Sequence, residues 1–351
     1  MKLNETPVRT SRNFNINNIK IDNIEIPKKI PTFNKKTVTI DSNKVDVYPF
    51  ANEAKLTYGI SPELTELANS HPNENILLVM NSKINSNAEI NYDIDNKNKI
   101  LIDQIEIIAN EGTKSTVIIK YKSNEDVEAF HNGIIRVNAK RNSKVNVILI
   151  NLLNTKSNNF ISIENTLESN AKINYTIVDF GGAHSITNYY SNLIGEGSDN
   201  SLNAIYLGKE NQVFDLNYIG ELRGKKSNID IEVQGALKDT AKKHFKGTID
   251  FKKGCKKATG NENEACMLLS DKAKSIALPM LLCSEEDVEG NHSSSAGKIG
   301  EKELFYIMSR GFELKEAMKL MVRARFNKIL ENIQVGTLKQ EILEEIDKRL
   351  G

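Results

Sequence analysis

From Ile76 onwards the chain consists of short runs of alternating apolar and polar residues, separated by Asn, Ser, Lys and Gly. Alternation with a period of two is typical of β-strands, because successive side chains of a strand point to opposite faces. Six of these runs align on one apolar position each, at spacings of 27, 28, 28, 29 and 27 residues. The aligned positions are Ile90, Val117, Val145, Ile173, Leu202 and Ile229. The chain therefore contains an internal repeat.

A repeat of this length favours a solenoid, in which each coil stacks on the coil before it and no coil buries its apolar face alone. We predict a right-handed parallel β-helix over residues 75–299. A β-sandwich of hairpins is the alternative, but it predicts turn residues about every 8 to 12 positions without a longer period.

The two ends of the chain differ from this core. Residues 1–74 are polar and hold six of the seven prolines. They predict an irregular arm with one short helix, which Ser61 caps and Pro62 begins. From residue 300 onwards apolar residues recur at helical spacing, which predicts a helical domain over residues 300–351.

Three helices are expected in this last domain. Gly311 follows the first helix as a left-handed cap, the second begins near Leu314, and Gly336 separates it from the third. The apolar stripe of the second helix is predicted to comprise Ala317, Leu320, Met321, Ala324, Ile329 and Ile333.

Charge and composition exclude several classes of protein. The chain has 47 basic and 46 acidic side chains, and this balance argues against a nucleic-acid polymer as the main partner. It contains no apolar window of about 18 residues and no signal peptide, so we expect a cytoplasmic protein that does not enter a membrane. The three cysteines, an odd number without CxxC spacing, argue against a disulfide framework and for reduced thiols.

The stretch between Pro279 and Ile299 departs from the strand pattern. An acidic run over residues 284–289 precedes Gly-Asn-His and three serines, which favour tight, hydrated backbone. This composition predicts that His292 lies on a turn.

The motifs around this stretch resemble, in order and spacing, the C-terminal signature of the SufB/SufD family of iron–sulfur cluster assembly scaffold proteins. They are FKGTI at 245–249, LLSDKA at 268–273, His292 with Gly297-Lys298-Ile299, LFY at 304–306, SRG at 309–311, Glu316-Ala317 and Phe326. The resemblance implies a β-helix core flanked by helical ends, which agrees with the repeat. It also implies a non-catalytic scaffold subunit with two kinds of partner, a SufC-type ATPase and a SufB-type subunit or a second copy of the chain.

Departures from the family pattern distinguish its two branches. Glu264 stands at the position of the SufB cysteine, with Cys266 two residues later, and Asn291 and Ser293 flank His292 where SufB carries glutamates. The chain therefore resembles the SufD branch. Two further departures weaken a cluster-holding role: Gly290 replaces a SufD cysteine, and Gly220 replaces a histidine often seen in the repeat region.

The resemblance also implies site residues. The SufD histidine at the position of His292 lies at the SufB–SufD interface, where a transient iron–sulfur cluster is thought to form, and neutral imidazole is a competent iron ligand. Cys283 is a second candidate ligand if a coil folds back, since thiolates are preferred by clusters. The alternative for Cys283 is a buried sulfhydryl in a strand. The helical region looks like the docking surface for SufC, shaped by Phe305, Tyr306, Arg310 and Gly311.

The remaining histidines and cysteines have less specific interpretations. His71, His131 and His184 are expected to be surface or structural, with His131 on a turn before Asn132-Gly133, and neighbouring lysines discourage metal binding at His244. Cys255 and Cys266 lie on either side of the Gly260-Asn261 pair, and a hairpin or two neighbouring coils would allow them to face each other.

Several other functions stay open. The chain has no GxxxxGK[ST] phosphate loop, so we expect no ATP site, and it has neither HExxH nor GxSxG. A SufB-type homodimer that holds the cluster itself is one alternative, and an assembly module without metal is another. A carbohydrate-active β-helix is the alternative from another class, but residues of its acidic run 285–287 would alternate between the faces of a strand.

Overall fold

The computed structural model describes residues 1–10, 16–22, 24–41, 43–49, 55–124 and 126–351. The strands in this part are β1 (Lys2–Leu3), β2 (Ile19–Lys20), β3 (Lys36–Ile40), β4 (Val45–Tyr48), β5 (Glu74–Met80), β6 (Ser86–Ile94), β7 (Ile100–Ala109), β8 (Lys114–Ser123), β9 (Phe130–Ala139), β10 (Lys144–Leu152), β11 (Asn158–Leu167), β12 (Lys172–Asp179), β13 (His184–Leu193), β14 (Asp199–Gly208), β15 (Val213–Leu222), β16 (Asn228–Leu237), β17 (Lys242–Phe251), β18 (Ala258–Leu268), β19 (Lys274–Cys283) and β20 (Val288–Lys298). The helices are α1 (Pro62–Ser70), α2 (Glu301–Ser309), α3 (Leu314–Leu330) and α4 (Gly336–Leu350).

Each coil of the chain contributes one strand to each of two sheets. Among the described residues, sheet 1 has the order β20-β18-β16-β14-β12-β10-β8-β6-β3, and sheet 2 has the order β19-β17-β15-β13-β11-β9-β7-β5-β4. From β5 to β20 all neighbouring strands are parallel. The predicted parallel β-helix is therefore confirmed, and the alternative of paired hairpins is wrong.

The predicted alignment of the repeats has the correct face but the wrong register at four of its five steps. Val145 does lie opposite Ile173 on the next strand. Ile90, however, lies opposite Ile119, and Val117 opposite Val147, each two residues from the predicted partner. The later steps from Ile173 to Leu202 and from Leu202 to Ile229 deviate in the same way. A shift of two residues keeps every side chain on its face, so the apolar pattern cannot detect it.

A left-handed residue recurs at the corner that leads from sheet 2 back to sheet 1. Its backbone N–H donates to a carbonyl of the next coil, as from Asn142 to Ser169 O at 3.0 Å and from Asn170 to Glu196 O at 2.9 Å. The corner residues with positive φ are Gly112, Asn142, Asn170, Gly197, Lys226 and Lys257. Glycine and asparagine tolerate this conformation best, which explains part of the Asn-rich composition between the strands.

Inward-facing side chains of both sheets form one continuous apolar core along the solenoid. Aromatic rings stack from coil to coil within it; those of Tyr92 and Tyr121 are 5.3 Å apart and nearly parallel. Because neighbouring coils share this core, each coil buries its inner face only in the presence of its neighbours.

Residues 1–74 contain more regular structure than the predicted irregular arm. Strands β3 and β4 pair antiparallel with β6 and β5 and so extend both sheets at the first coil. The helix predicted at Ser61 and Pro62 is α1, and the Ser61 hydroxyl accepts a hydrogen bond from the Leu64 N–H at 3.2 Å. Residues 11–15, 23, 42 and 50–54 of the predicted arm lie outside the described residues.

The C-terminal helices α3 and α4 pack on the outer face of sheet 1. Phe326 of α3 is fully buried and its ring stacks on that of Phe180 at 6.3 Å. Arg349 of α4 donates to the backbone carbonyls of Phe180 and Leu153. Part of the predicted stripe of α3 is wrong, since Leu320 and Ala324 are exposed. The buried face that packs on the sheet instead contains Val322, Phe326 and Leu330.

The first C-terminal helix, α2, differs from the other two because none of its residues is buried. It ends at Ser309, and Gly311 follows the Arg310 C-cap with a φ of +96°, as the sequence predicts. Gly336 does not separate two helices but begins α4. No helix in the described part of the chain is long and apolar enough to cross a membrane.

Candidate functional site

The last coil, formed by β19 and β20, leaves one end of the solenoid open. In the described part of the chain each of these strands pairs with only one other strand, β17 and β18 respectively. A Cβ added at Gly290 would lie 2.9 Å from the side chains of Leu281 and Phe251, so this position of β20 faces the interior. By alternation His292 and Ser294 face the same way, toward the interior of a coil that is covered on one side only.

His292 lies within β20 and opposite Glu262 of β18. The prediction that it lies on a turn is therefore wrong. The Gly-Asn-His-Ser composition has another cause: β20 is an edge strand whose residues are mostly exposed, so polar side chains are tolerated there. The acidic residues 284–287 do form the connection between β19 and β20. As a result, His292 is an exposed imidazole held by a regular strand.

Cys283 is the last residue of β19 and is exposed, which excludes the buried sulfhydryl considered above. Its Sγ donates to the backbone carbonyl of Glu285 at 2.9 Å. Together with Leu281 and Gly290 it lines an open hollow at the end of the last coil, and His292 is not among the described residues that line this hollow. Among the described residues no group of three or more His, Cys, Asp or Glu side chains is arranged to hold a metal ion. The metal contacts of His292 and Cys283 stay predictions.

The other two cysteines are buried and far apart along the coil, so they do not face each other. Cys255 lies in the turn before β18, and burial raises the pKa of its thiol to about 11, with the Glu285 carboxylate contributing. Cys266 lies near the other end of β18, where burial raises its thiol pKa and nearby Lys243 opposes the rise.

A buried charged network lies directly beneath the last coil. Glu264 of β18 accepts hydrogen bonds from Lys243 Nζ at 2.7 Å, from the Tyr206 hydroxyl at 2.9 Å and from the Ser294 hydroxyl at 2.8 Å. The side chains of Lys243 and Glu264 are completely buried. Ser294 belongs to β20, Lys243 to β17 and Tyr206 to β14. Glu264 therefore links the open coil to strands of its own coil and of a deeper coil.

Glu262, two residues earlier on the same strand and also facing inward, has no such partners. It is 2% exposed, and both carboxylate oxygens lack a hydrogen-bond partner among the described residues. Its carboxylate lies against Gly247 of β17, where an added Cβ would come within 2.1 Å of Oε2. Burial raises the pKa of Glu262 to about 8, the neighbouring Glu264 adds to the rise, and Lys243 opposes it.

Sequence reasoning missed Lys243 and Glu262 and recognised Glu264 only as the residue at a cysteine position. The indication was present in the pattern: in KKHFKG and NENEAC, charged residues occupy positions of the same alternation as the core residues Phe245 and Cys266. A charged residue at an inward position is unusual unless it is paired or functional.

The exposed helix α2 and the turn after it carry a second feature of interest. Large apolar side chains cluster there, with Phe305 75% and Tyr306 59% exposed. We name this cluster the aromatic patch; it comprises Phe305, Tyr306, Met308, Phe312 and Leu314. The Arg310 guanidinium lies 5.2 Å from the centroid of the Tyr306 ring and donates to its hydroxyl at 3.1 Å, which orients the ring.

Two other histidines, His131 and His244, make structural contacts. His131 is buried within β9 and not on a turn, with Nε2 2.8 Å from Asp103 Oδ1 and Nδ1 2.6 Å from Asn159 Oδ1. Its side chain therefore belongs to a row of buried polar side chains inside the solenoid and not to a surface loop. His244 of β17 lies with Nδ1 3.7 Å from Asp215 Oδ2, beneath the N-terminal segment.

These features define a parallel β-solenoid protein with an open, polar last coil and an exposed C-terminal helix. Residues 92–325 match the family described as SUF system FeS cluster assembly, SufBD core domain. The chain belongs to this family.

Its relatives carry names consistent with this assignment. The chain is 23% identical over 272 residues to the iron–sulfur cluster assembly protein SufD of Bacillus subtilis, and 24% identical over 241 residues to SufD of Escherichia coli. These matches cover 77% and 68% of the chain. A SufBD family protein of Pyrococcus horikoshii is 30% identical over 179 residues, which are 51% of the chain and 39% of that protein. The chain spans 62% and 57% of the length of the two SufD proteins. The resemblance to the SufD branch is thereby confirmed.

Proposed function

We propose that this chain is a SufD-type scaffold subunit of the SUF machinery, without catalytic activity of its own. It binds a SufC-type ATPase through the aromatic patch and pairs through its last coil with a SufB-type subunit. The single observation that carries this proposal is the aromatic patch on α2, which is exposed although α3 and α4 bury their apolar faces.

The composition of the patch supports a docking role. Five large apolar side chains within ten residues are exposed, and clustered apolar surface of this kind marks interaction sites in proteins. Aromatic residues and arginine are also the commonest residues in the energetic centre of interfaces. Phe305, Tyr306 and Arg310 are therefore the residues that we assign to ATPase binding, with Gly311 shaping the turn behind them.

The open coil supports the second contact. Both of its strands are edge strands, and the inward-facing Leu281 is 40% exposed. An uncovered edge with an apolar interior is a ready surface for pairing with another chain. We propose that a SufB-type subunit, or a second copy of this chain, covers it.

A transient iron–sulfur cluster is the cargo of this interface in our proposal. His292 and Cys283 would contribute an imidazole and a thiolate, and the partner subunit would contribute the remaining ligands. ATP-driven dimerisation of the ATPase would strain the shared interface and expose the assembly site. In this scheme the chain positions the assembly site and transmits the movement of the ATPase to the shared interface.

Co-purification tests the proposal. The chain is expressed with a SufC-type ATPase and a SufB-type subunit from the same organism, and the complex is sized by chromatography. Replacing both Phe305 and Tyr306 with Ala should release the ATPase but keep the SufB-type subunit. Ile84→Ala is the matched control, since Ile84 is 73% exposed at the other end of the solenoid. Binding of the ATPase by the patch variant at wild-type level would overturn the docking proposal.

A second experiment addresses the homodimer alternative, which the exposed Cys283 thiol favours. The chain without partners is reconstituted anaerobically with iron and sulfide. A stoichiometric cluster that is lost in Cys283→Ser or His292→Ala variants would identify a chain that holds the cluster itself. Absence of such a cluster, together with formation of the three-protein complex, supports the SufD-type assignment.

A further inference from the structure

We infer that Glu262 and His292 together bind a single divalent transition-metal ion, such as ferrous iron, at the open end of the solenoid. The inference rests on the proposed function in that it gives the iron cargo a first binding site on this chain. It goes beyond that function because it names a carboxylate ligand and a mononuclear ion instead of a cluster.

The first argument is the difference between two glutamates on one strand. Glu264 has three hydrogen-bond donors, one of which is the buried Lys243, whereas Glu262 has no partner for either oxygen among the described residues. A buried carboxylate without a partner is costly, so such a group is retained where a proton or a cation completes it. A cation bound at Glu262 would therefore supply the partner that the protein itself does not provide.

The second argument is the space around the Glu262 carboxylate. Gly247 stands on the opposite wall, and any side chain there would collide with Oε2. Above Gly247 on the last coil lies Pro279, whose backbone has no N–H to donate. Gly247 thus leaves room for the carboxylate, and the backbone of Pro279 offers it no hydrogen-bond donor.

The third argument is the position of His292. It lies directly opposite Glu262 in the parallel ladder, and adjacent strands are separated by about 4.8 Å. Both side chains are on the inward face, and His292 is exposed. An ion arriving from the open end therefore meets the imidazole first and the carboxylate behind it.

The chemistry of the two groups selects the ion. Carboxylate oxygen and imidazole nitrogen suit ferrous iron, manganese and zinc, whereas clusters prefer several thiolates. Cys266 lies four residues along β18 from Glu262 and hydrogen-bonds with Tyr206, and Cys283 belongs to the opposite sheet. The ligand set at this point is therefore suited to a mononuclear ion with water or a partner residue in the remaining positions.

The charges that face the site are compatible with a cation. Glu264 adds negative charge from the same strand, and Lys243 of β17 is the nearby positive charge. The Lys243 ammonium is bonded to Glu264, so its charge is largely compensated. A divalent ion at Glu262 would displace the proton that burial favours there and would balance the charge of the second carboxylate.

Metal titration of the full chain tests the inference. Protein without a histidine tag is titrated anaerobically with Fe²⁺ in a calorimeter, and with Co²⁺ by absorption as a spectroscopic probe. We expect one ion per chain, with Glu262→Gln and His292→Ala each weakening binding by about tenfold or more. Glu289→Gln is the control, because Glu289 is an exposed carboxylate on β20 that faces away from the interior.

The outcomes are separable from those of the proposed function. If Glu262→Gln binds Fe²⁺ as tightly as the unmodified chain, or if Glu289→Gln loses as much affinity, the inference is wrong. Thermal unfolding of the metal-free Glu262→Gln variant should show that the fold is retained, since the amide replaces an unpaired acid of the same shape. Failure to bind any Fe²⁺ or Co²⁺ would overturn the inference, while co-purification with the ATPase would still decide the proposed function.

Discussion

Lys243 and Glu264 form a fully buried ion pair inside the solenoid, with Nζ 2.7 Å from Oε1 and no exposure of either side chain. The two residues lie on different sheets, and the pair joins them one coil below the open end. At this depth the two charges stabilise each other, the Tyr206 and Ser294 hydroxyls donate to Glu264, and the Lys243 ammonium lies over the rings of Tyr206 and Phe245. The open end of the solenoid is therefore stabilised by this buried ion pair.

Removing one member of this pair should be strongly destabilising. Lys243→Met leaves the Glu264 carboxylate buried without its cation, and we expect a loss of about 3–5 kcal/mol in the free energy of unfolding. The double variant with Glu264→Gln should recover much of this loss, because the amide is neutral and still accepts from Tyr206. Urea unfolding of the single and double variants measures both effects. Equal stability of the Lys243→Met variant and the unmodified chain would contradict the buried pair.

Gly247→Ala should destabilise the protein by about 1–3 kcal/mol, because the new methyl group collides with the Glu262 carboxylate. The cause is testable in a double-mutant cycle. Shortening the glutamate with Glu262→Ala should make Gly247→Ala much less harmful, giving a coupling that chemical denaturation detects. An equal loss of stability in both backgrounds would show that the alanine methyl group collides with a group other than Glu262.

The stability of the fold should depend on pH through Asp179. Burial raises the pKa of this carboxyl from 3.8 to about 6, against hydrogen bonds from Ser185 and Asn151 that lower it. Between these two pH values the folded chain keeps a proton that the unfolded chain has lost. The unfolding free energy contributed by Asp179 should therefore fall as pH rises from about 4 to 6, by roughly 3 kcal/mol, and then level off.

Asp179→Asn should flatten this part of the pH profile, measured by urea unfolding at several pH values. The amide oxygen remains an acceptor for Asn151 or Ser185. Asp126→Asn is the control, because the Asp126 side chain is 91% exposed and its replacement should leave the profile unchanged.

Truncating two phenylalanines of the C-terminal helices should affect the free energy of unfolding to very different extents. Phe326→Ala removes a fully buried ring that stacks on Phe180, and we expect a loss of about 3–5 kcal/mol. Phe305→Ala, in the aromatic patch, should change the unfolding free energy by less than about 0.5 kcal/mol. A large loss of stability for Phe305→Ala would mean that the patch is part of the core and not a docking surface.

One of the three thiols should react much faster than the others. Cys283 is exposed, whereas Cys255 and Cys266 are buried and burial raises the pKa of both. Titration of the native chain with a chromogenic disulfide should show one fast equivalent that Cys283→Ser removes, since the thiolate is the reactive form. Three equally fast equivalents would contradict this burial.

The sequence predicts the solenoid well because the same residue pattern recurs in every coil. Each coil alternates apolar and polar residues in the same way, so an error at one strand does not change the inferred architecture. The N-cap at Ser61 and the left-handed Gly311 are local features and are also predicted correctly. His292 is different: glycine, asparagine and serine favour turns in isolation, but pairing with β18 satisfies their backbone and makes them a strand.

By itself, the sequence determines that this chain forms stacked parallel coils with helices after them, since periodicity and caps act within a few residues or repeat along the chain. Only the tertiary structure decides which side chains meet between coils. Glu262 and Glu264 are indistinguishable in the pattern, yet one has three donors and the other has none. The physical reason is that their neighbours are a full coil away in sequence, and a shift of two residues in register leaves the apolar pattern unchanged while exchanging every polar contact.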